Sequence, residues 1–186
     1  MNLANFLTLI RILLIPLFII SLFLRLRFWA LGIFTFAALS DIVDGLIARR
    51  YRQQTTLGAL MDPAADKLLM VSAFVLLPIL SRYHFFENMA VFPLWVTMVV
   101  LGRDLIIVLG WILSKISKVT VNFAPSLYGK ITTFFQAATI IAVLAGLSFA
   151  YWLWHLTAWL TIISGIDYLF RGVKDWQKAY ARRLGN

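Results

Sequence analysis

Four aspartates are gathered in one part of a chain that otherwise carries little acidic charge. The 186 residues include only eight Asp and Glu, and four of these eight lie within 26 positions: Asp41, Asp44, Asp62 and Asp66. Carboxylates crowded in this way repel one another and stay partly protonated unless cations lie between them. No histidine or cysteine is near them in the sequence. An all-oxygen ligand set suits hard cations such as Mg²⁺, with Mn²⁺ and Ca²⁺ as relatives.

The chemistry that this cluster favours is displacement at a phosphate ester. Mg²⁺ commonly joins carboxylates to phosphates, and two ions about 4 Å apart can stabilise both the entering and the leaving oxygen. The spacing therefore predicts metal-assisted chemistry, with Asp41, Asp44, Asp62 and Asp66 as the metal ligands. Taken alone, Asp62 before Pro63 could instead be an N-cap with the proline at the first helical position.

The rest of the chain is strongly apolar, with 62% hydrophobic and 13% charged residues. Soluble domains are about 45–50% apolar and about 25% charged. A membrane-spanning helix needs about 20 apolar residues. We therefore predict an all-α integral membrane protein, a single domain over residues 1–186, with six transmembrane helices over these runs: Phe6–Leu24, Phe28–Ala48, Ala64–Ser81, Val91–Ser114, Leu127–Leu147 and Phe149–Phe170.

Basic residues between the runs indicate the orientation, because Lys and Arg accumulate in cytoplasmic loops. Three lie on one side, namely Arg25, Arg27 and Arg82. Ten lie on the other side, which puts both termini in the cytosol: Arg49, Arg50, Arg52, Lys115, Lys118, Arg171, Lys174, Lys178, Arg182 and Arg183. The basic tail from residue 171 is predicted to be a membrane-surface helix. This distribution of the net charge of +9 favours a lipid bilayer and no nucleic acid as the partner.

The predicted helices bring the aspartates together. Asp41 and Asp44 are three positions apart at the cytosolic end of helix 2, and Asp62 and Asp66 are four apart where helix 3 starts. Residues with these spacings share a helix face. Because helices 2 and 3 are antiparallel neighbours joined by a short basic loop, the four carboxylates are expected to meet in one cytosol-facing polar cavity.

The residues around the aspartates form the pattern D-x2-D-G-x2-A-R-x8-G-x3-D-x3-D, from Asp41 to Asp66. This pattern resembles the signature of the CDP-alcohol phosphotransferases at all eight positions. The resemblance continues in the opening segment Asn5–Arg11 and in Gly129-Lys130. It implies that Asp41, Asp44 and Asp62 bind metal with Asp66 close by, and that Asp66 takes the proton of the acceptor hydroxyl. The acceptor oxygen would then attack the β-phosphate of CDP-diacylglycerol, with CMP as the leaving group.

The other residues of the pattern fit a nucleotide site. Gly45, Ala48 and Gly58 lack bulk, so a nucleotide could lie close to the helices, although small residues also allow close helix packing in membranes. Arg49 can hold a phosphate. The resemblance implies that CDP contacts these four residues together with Asp41, Asp44 and Asp62. It further implies two Mg²⁺ ions, with Mn²⁺ possible, a homodimer, and a location in a bacterial inner membrane.

Two basic residues outside the pattern concern the acceptor. Arg103 lies within helix 4 and Lys130 lies near the start of helix 5, where a charge is costly and indicates an anionic partner. Pairing with the carboxylates is the alternative explanation. The resemblance places both residues in the acceptor pocket.

Within the family, the chain resembles the branch that makes phosphatidylglycerophosphate from sn-glycerol 3-phosphate. Trp111 and Thr132 stand where this branch commonly has further cations, and Gly102-Arg103-Asp104 is similar to the cardiolipin synthases, which use phosphatidylglycerol. We expect glycerol 3-phosphate as the acceptor, with phosphatidylglycerol as the alternative. Lysine at position 132 is expected to tighten glycerol 3-phosphate binding if its side chain points into the cavity.

Two functions from other classes also fit membrane helices that carry charge. A small transporter would more often show polar residues near the membrane midplane and interrupted helices, whereas these carboxylates gather at one face. A non-catalytic scaffold would have no need of the complete acidic pattern.

Overall fold

The computed structural model describes the backbone of residues 3–51, 56–83, 86, 91–117 and 126–184, and within these ranges the chain forms six helices and no strands. Side chains are described for residues 10, 12–40, 67–83, 86, 91–117 and 126–178. The helices are α1 (Leu3–Phe23), α2 (Arg27–Tyr51), α3 (Thr56–Arg82), α4 (Leu94–Ile116), α5 (Leu127–Ala145) and α6 (Ala150–Leu184).

Each predicted apolar run corresponds to one helix, but two helices extend well beyond their runs. Helix α3 begins at Thr56, so the prediction that Asp62 and Asp66 flank its start is wrong, and Asp62 is not an N-cap. Helix α6 continues to Leu184, so the basic tail is not a separate surface helix. The reason is that an apolar run marks only the part suited to hydrocarbon, whereas backbone hydrogen bonds continue a helix through polar residues.

Two of the six helices, α4 and α5, are long and apolar enough to cross a membrane by the residues that the structure describes. On α4 the buried residues include Val96, Val100 and Arg103, which follow one side of the helix. The exposed residues on its other sides are largely apolar: Met98, Leu105, Ile106, Val108, Leu109, Ile112 and Leu113. A helix that is apolar on its exposed sides is suited to lipid.

The chain divides into two compact units. The first unit comprises residues 1–92 and 137–151, and its core is rich in aromatic side chains. The rings of Phe18 and Phe34 have centroids 5.7 Å apart, which joins α1 to α2. Phe74 on α3 and Phe92 lie 5.9 Å apart, also within this unit.

The second unit comprises residues 93–136 and 152–186, and polar side chains join two of its helices. The Thr157 hydroxyl on α6 donates to the carbonyl of Phe135 on α5 at 3.1 Å. In the opposite direction, the Thr132 hydroxyl on α5 lies 3.1 Å from the carbonyl of Leu160 on α6. Both threonines are buried. Small hydroxyl residues of this kind allow close helix packing in an apolar environment. These two contacts therefore hold α5 against α6.

The end of α5 is set by a glycine. Gly146 has a φ of +70°, and its N–H donates to the Val143 carbonyl at 3.1 Å, while the Leu147 N–H donates to the Ala142 carbonyl at 3.0 Å. This pair of bonds is the Schellman ending of a helix, which needs a left-handed residue. The predicted break between helices 5 and 6 is therefore confirmed.

Gly146→Ala is expected to lower the stability of the first unit. The new Cβ would lie 2.6 Å from Nη2 of Arg27, which donates to the last carbonyl of α5, that of Ala145, at 3.0 Å. The left-handed backbone alone costs a non-glycine residue about 1–2 kcal/mol. Thermal unfolding in detergent checks this, with Gly32→Ala as the control, because a Cβ at Gly32 meets no atom within 4 Å. Equal unfolding temperatures for the two variants would contradict the expectation.

Candidate active site

The predicted metal and nucleotide positions lie on two helices of the first unit. Helix α2 carries five of them, spaced mainly by three and four so that they follow one side of the helix: Asp41, Asp44, Gly45, Ala48 and Arg49. Helix α3 carries the other three, each four residues from the next: Gly58, Asp62 and Asp66. The helical backbone thus preserves the spacing on which the prediction depends. The side chains of all eight lie outside the described residues.

The donor set of these two helices fits a hard divalent cation, because it consists of carboxylates alone. Among the side chains that the structure describes, no group of three or more Asp, Glu, His or Cys residues could hold a metal ion. The four aspartates are not among those side chains, so the metal site stays a prediction.

Arg103 lies in the second unit and is 8% exposed, so its charge is almost completely removed from solvent. Its Nη1 atom donates to Oδ1 of Asp104 at 2.8 Å, and Nη2 donates to Oγ of Ser164 at 3.0 Å. The ring of Tyr168 stacks on the guanidinium, with the centroid 5.2 Å from Cζ. A buried charge is costly unless it is paired and hydrogen-bonded, so α4 and α6 together hold this guanidinium in place.

The first turn of α5 packs against the same guanidinium. Ser126 precedes the helix, and its Oγ accepts the Gly129 N–H at 2.9 Å, which is a helix N-cap. A Cβ on Gly129 would lie 3.2 Å from Nη2 of Arg103, so the guanidinium lies directly on this turn. The N-terminal end of a helix carries partial positive charge. A cation and a positive helix end that face each other are the arrangement expected around an anion.

The structure brings Arg103 and Gly129 together, but it shows no contact of the Lys130 side chain with either residue. Lys130 is exposed in the first turn of α5, and its side chain makes no hydrogen bond or ion pair with any residue that the structure describes. The predicted acceptor pocket therefore has one buried cation with a fixed direction and one exposed cation in the first turn of α5.

Trp111 and Thr132 stand where cations were expected for a glycerol 3-phosphate pocket, and the structure places both side chains differently from that expectation. Trp111 is 51% exposed, and Nζ of Lys115 lies 5.5 Å from its ring. Thr132 is 1% exposed, with its hydroxyl 2.8 Å from the Tyr128 carbonyl and 3.1 Å from the Leu160 carbonyl. Its side chain is packed between α5 and α6, so the condition for Thr132→Lys is not met. That substitution is now expected to disrupt helix packing.

Sequence reasoning missed two residues of this site, Ser164 and Tyr168. The signal that could have found them is the short polar segment Ser164-Gly165-Ile166-Asp167-Tyr168 within an otherwise apolar run. Polar side chains in such a run usually face other helices or a functional site. Their partner could not be identified, because 61 residues separate Ser164 from Arg103.

Gly129→Ala is expected to raise the Michaelis constant of an anionic acceptor severalfold. The new Cβ would lie 3.2 Å from Nη2 of Arg103 and 3.4 Å from Oγ of Ser126. The guanidinium is the more flexible of these two neighbours, so it would have to shift away from α5. Steady-state kinetics check this, with Gly102→Ala as the control because its Cβ meets no atom within 4 Å. The expectation fails if both variants keep the wild-type constant.

Comparison with known proteins assigns the family. The family model for CDP-alcohol phosphatidyltransferase matches residues 1–165. A probable phosphatidylglycerophosphate synthase of Mycobacterium tuberculosis is 35% identical over 94% of this chain and 83% of its own length. Enzymes named CDP-diacylglycerol–glycerol-3-phosphate 3-phosphatidyltransferase are 34% identical in Aquifex aeolicus and 33% identical in Yersinia enterocolitica, each over 94% of this chain and 97% of its own length.

The chain therefore belongs to the CDP-alcohol phosphatidyltransferase family, and the resemblance predicted from the aspartate pattern is confirmed. It is a transferase of phospholipid biosynthesis. The apolar helices α4 and α5, together with the family, indicate a membrane protein.

Proposed function

We propose that this chain transfers the phosphatidyl group of CDP-diacylglycerol to the hydroxyl of sn-glycerol 3-phosphate and releases CMP. The observation that carries the proposal is the set of relatives named for this reaction, two of which align over 97% of their own length. The product would be phosphatidylglycerophosphate. The proposal excludes a transporter or a scaffold, because the chain belongs to a transferase family.

The acceptor would be held by its phosphate at Arg103. A guanidinium binds a phosphate with directed, charge-assisted hydrogen bonds, and this one is fixed by Asp104, Ser164 and the ring of Tyr168. Burial strengthens the interaction, because less water screens it. Lys130, exposed one residue after Gly129, would add a second cation from the first turn of α5.

The aspartates would hold the metal and move the proton. Asp41, Asp44, Asp62 and Asp66 are proposed to bind two Mg²⁺ ions, with Mn²⁺ as a substitute. When bound, these ions would neutralise charge on the phosphates of CDP-diacylglycerol. Asp66 would accept the proton of the glycerol hydroxyl, so that its oxygen can attack the β-phosphate and CMP can leave.

The nucleotide would contact the remaining residues of the pattern. Gly45, Ala48 and Gly58 would let the cytidine approach the backbone of α2 and α3, and Arg49 would bind a phosphate by charge. Positioning and charge neutralisation would then supply most of the rate enhancement.

We further propose that all six helices cross a bacterial inner membrane, with both termini and a polar cavity at the cytosolic side. The excess of basic residues in the loops assigned to that side supports this orientation. The relatives reported above are bacterial. Homodimer formation remains a proposal from the family resemblance.

Phosphatidylglycerol is the second candidate acceptor. The observation that favours it is that Arg103 is the one buried cation among the side chains that the structure describes, and its Nη1 atom is already paired with Asp104. A site with this little positive charge also suits a phosphodiester with one negative charge. The reaction would then yield cardiolipin.

The experiment that separates the two acceptors uses purified protein with CDP-diacylglycerol and Mg²⁺. Glycerol 3-phosphate and phosphatidylglycerol are supplied in turn, and the lipid product is identified by mass. We expect phosphatidylglycerophosphate with the first acceptor and no cardiolipin with the second. Cardiolipin formation without any product from glycerol 3-phosphate would contradict the proposal.

Arg103→Ala is expected to raise the Michaelis constant of glycerol 3-phosphate about tenfold to a hundredfold, which corresponds to the loss of a hydrogen bond to a charged group. The constant for CDP-diacylglycerol should change little. Arg171→Ala is the control, because Arg171 is an exposed cation paired with Asp167 one turn away. A change confined to the CDP-diacylglycerol constant would assign Arg103 to the other substrate.

A further inference from the structure

Two buried hydrogen-bond donors next to each other have no acceptor in the part of the chain that the structure describes. Nε of Arg103 is fully buried and has no partner there. Ser164 is 0% exposed, and its Oγ accepts from Nη2 of Arg103 at 3.0 Å. This bond uses a lone pair of the serine oxygen and leaves its own proton to be donated. Buried donors without acceptors are costly and rare, so each needs an explanation.

The serine does not follow the usual pattern of a hydroxyl within a helix. Such a hydroxyl commonly donates to the carbonyl four residues earlier, as Thr161 does to Thr157 at 2.7 Å. For Ser164 that carbonyl belongs to Leu160, which lies 3.1 Å from the Thr132 hydroxyl on α5, and the described contacts of Ser164 include no bond to it. The proton of Ser164 is thus available to a ligand.

One edge of the Arg103 guanidinium, formed by Nε and Nη2, lies beside the Ser164 hydroxyl. Nη1 is taken by Asp104 at 2.8 Å, whereas Nε and Nη2 form the opposite fork, whose geometry matches two oxygens of a phosphate. Ser164 adjoins this fork at Nη2, and the first turn of α5 lies on it at Gly129. Three donor groups and the positive end of a helix therefore converge, and a group with acceptor atoms only would satisfy them all.

We propose that Ser164 binds the phosphate of the acceptor directly, by donating its hydroxyl proton to one phosphate oxygen while Arg103 donates from Nε and Nη2. Tyr168 is a positioning residue, because its ring keeps the guanidinium plane in this direction. This inference rests on the proposed function, since it takes a phosphate-bearing alcohol as the ligand of Arg103.

The test compares Ser164→Ala with Thr161→Val. Both variants remove a buried hydroxyl from α6, but only that of Ser164 adjoins Arg103. Ser164→Ala is expected to raise the Michaelis constant of glycerol 3-phosphate about tenfold, while the constant for CDP-diacylglycerol and kcat stay near wild type. Inorganic phosphate should compete with the acceptor, and Ser164→Ala should weaken this inhibition by a similar factor. Thr161→Val should change none of these values.

Two further variants keep the test decisive if Ser164→Ala folds poorly. Ser164→Cys retains a weak donor of similar size and should give an intermediate Michaelis constant. Tyr168→Leu removes the ring that faces the guanidinium and should raise the acceptor constant. Wild-type acceptor constants in both serine variants, with active wild-type enzyme in the same assay, would overturn the inference alone. No product from glycerol 3-phosphate with the wild-type enzyme would overturn the proposed function and, with it, this inference.

Discussion

Asp66→Asn is expected to abolish turnover while most of the affinity for CDP-diacylglycerol remains. The amide has a similar shape to the carboxylate but cannot accept the proton of the acceptor hydroxyl. Loss of a general base costs roughly a hundredfold to ten-thousandfold in rate. The position of Asp66 within α3 places it one helical turn after Asp62, the other predicted ligand on that helix.

The measurement for this variant is CMP release in a single turnover, with binding of CDP-diacylglycerol measured separately. Asp167→Asn is the control, because Asp167 is a carboxylate of α6 that pairs with Arg171 outside the acidic pattern. Release of CMP by Asp66→Asn at the wild-type rate would remove Asp66 from the role of general base.

Asp44→Ala is expected to abolish the Mg²⁺-dependent binding of CDP-diacylglycerol and with it the activity. The substitution deletes one of four proposed ligands, on the side of α2 that also carries Asp41 and Gly45. Neighbouring carboxylates that lose their cation repel one another, so the remaining three would not restore the site.

A Mg²⁺ titration of substrate binding and of rate checks this expectation. The wild-type enzyme should show saturation by Mg²⁺, and Asp44→Ala should show neither binding nor rate at any Mg²⁺ concentration. Mn²⁺ should support the wild-type enzyme, because it also takes oxygen ligands. Undiminished activity of Asp44→Ala across the titration would show that these carboxylates do not hold the metal.

The six helices could be predicted from the sequence because apolar runs of membrane-spanning length have few alternatives in a bilayer. Their ends could not, as α3 and α6 show. Helix α3 begins at Thr56, eight residues before its apolar run, and helix α6 ends at Leu184, far beyond the end of its own apolar run. Hydropathy reports the surroundings of side chains, whereas a helix end depends on local backbone bonds. The end of α5 depends on such local bonds too, because Gly146 takes the left-handed backbone that they need.

The acidic pattern and the surroundings of Arg103 also differ in how far the sequence predicts them. The aspartates repeat at helical spacing on α2 and α3, so a metal site could be proposed from the local pattern alone, and this site stays a prediction. Arg103 was identified because a charge in an apolar run is costly, but its contacts with Ser164 and Tyr168 depend on how α4 and α6 pack. Thr132 shows the limit most directly, since its spacing from Gly129 could not reveal that its side chain lies between two helices.

The most direct test of the account follows the acceptor oxygen through the reaction. Glycerol 3-phosphate that carries heavy oxygen in its primary hydroxyl is incubated with the enzyme, CDP-diacylglycerol and Mg²⁺, and both products are analysed by mass spectrometry. The account predicts phosphatidylglycerophosphate that retains the heavy oxygen in its new phosphodiester, together with unlabelled CMP. Heavy oxygen in CMP, or CMP release without a lipid product from glycerol 3-phosphate, would contradict it.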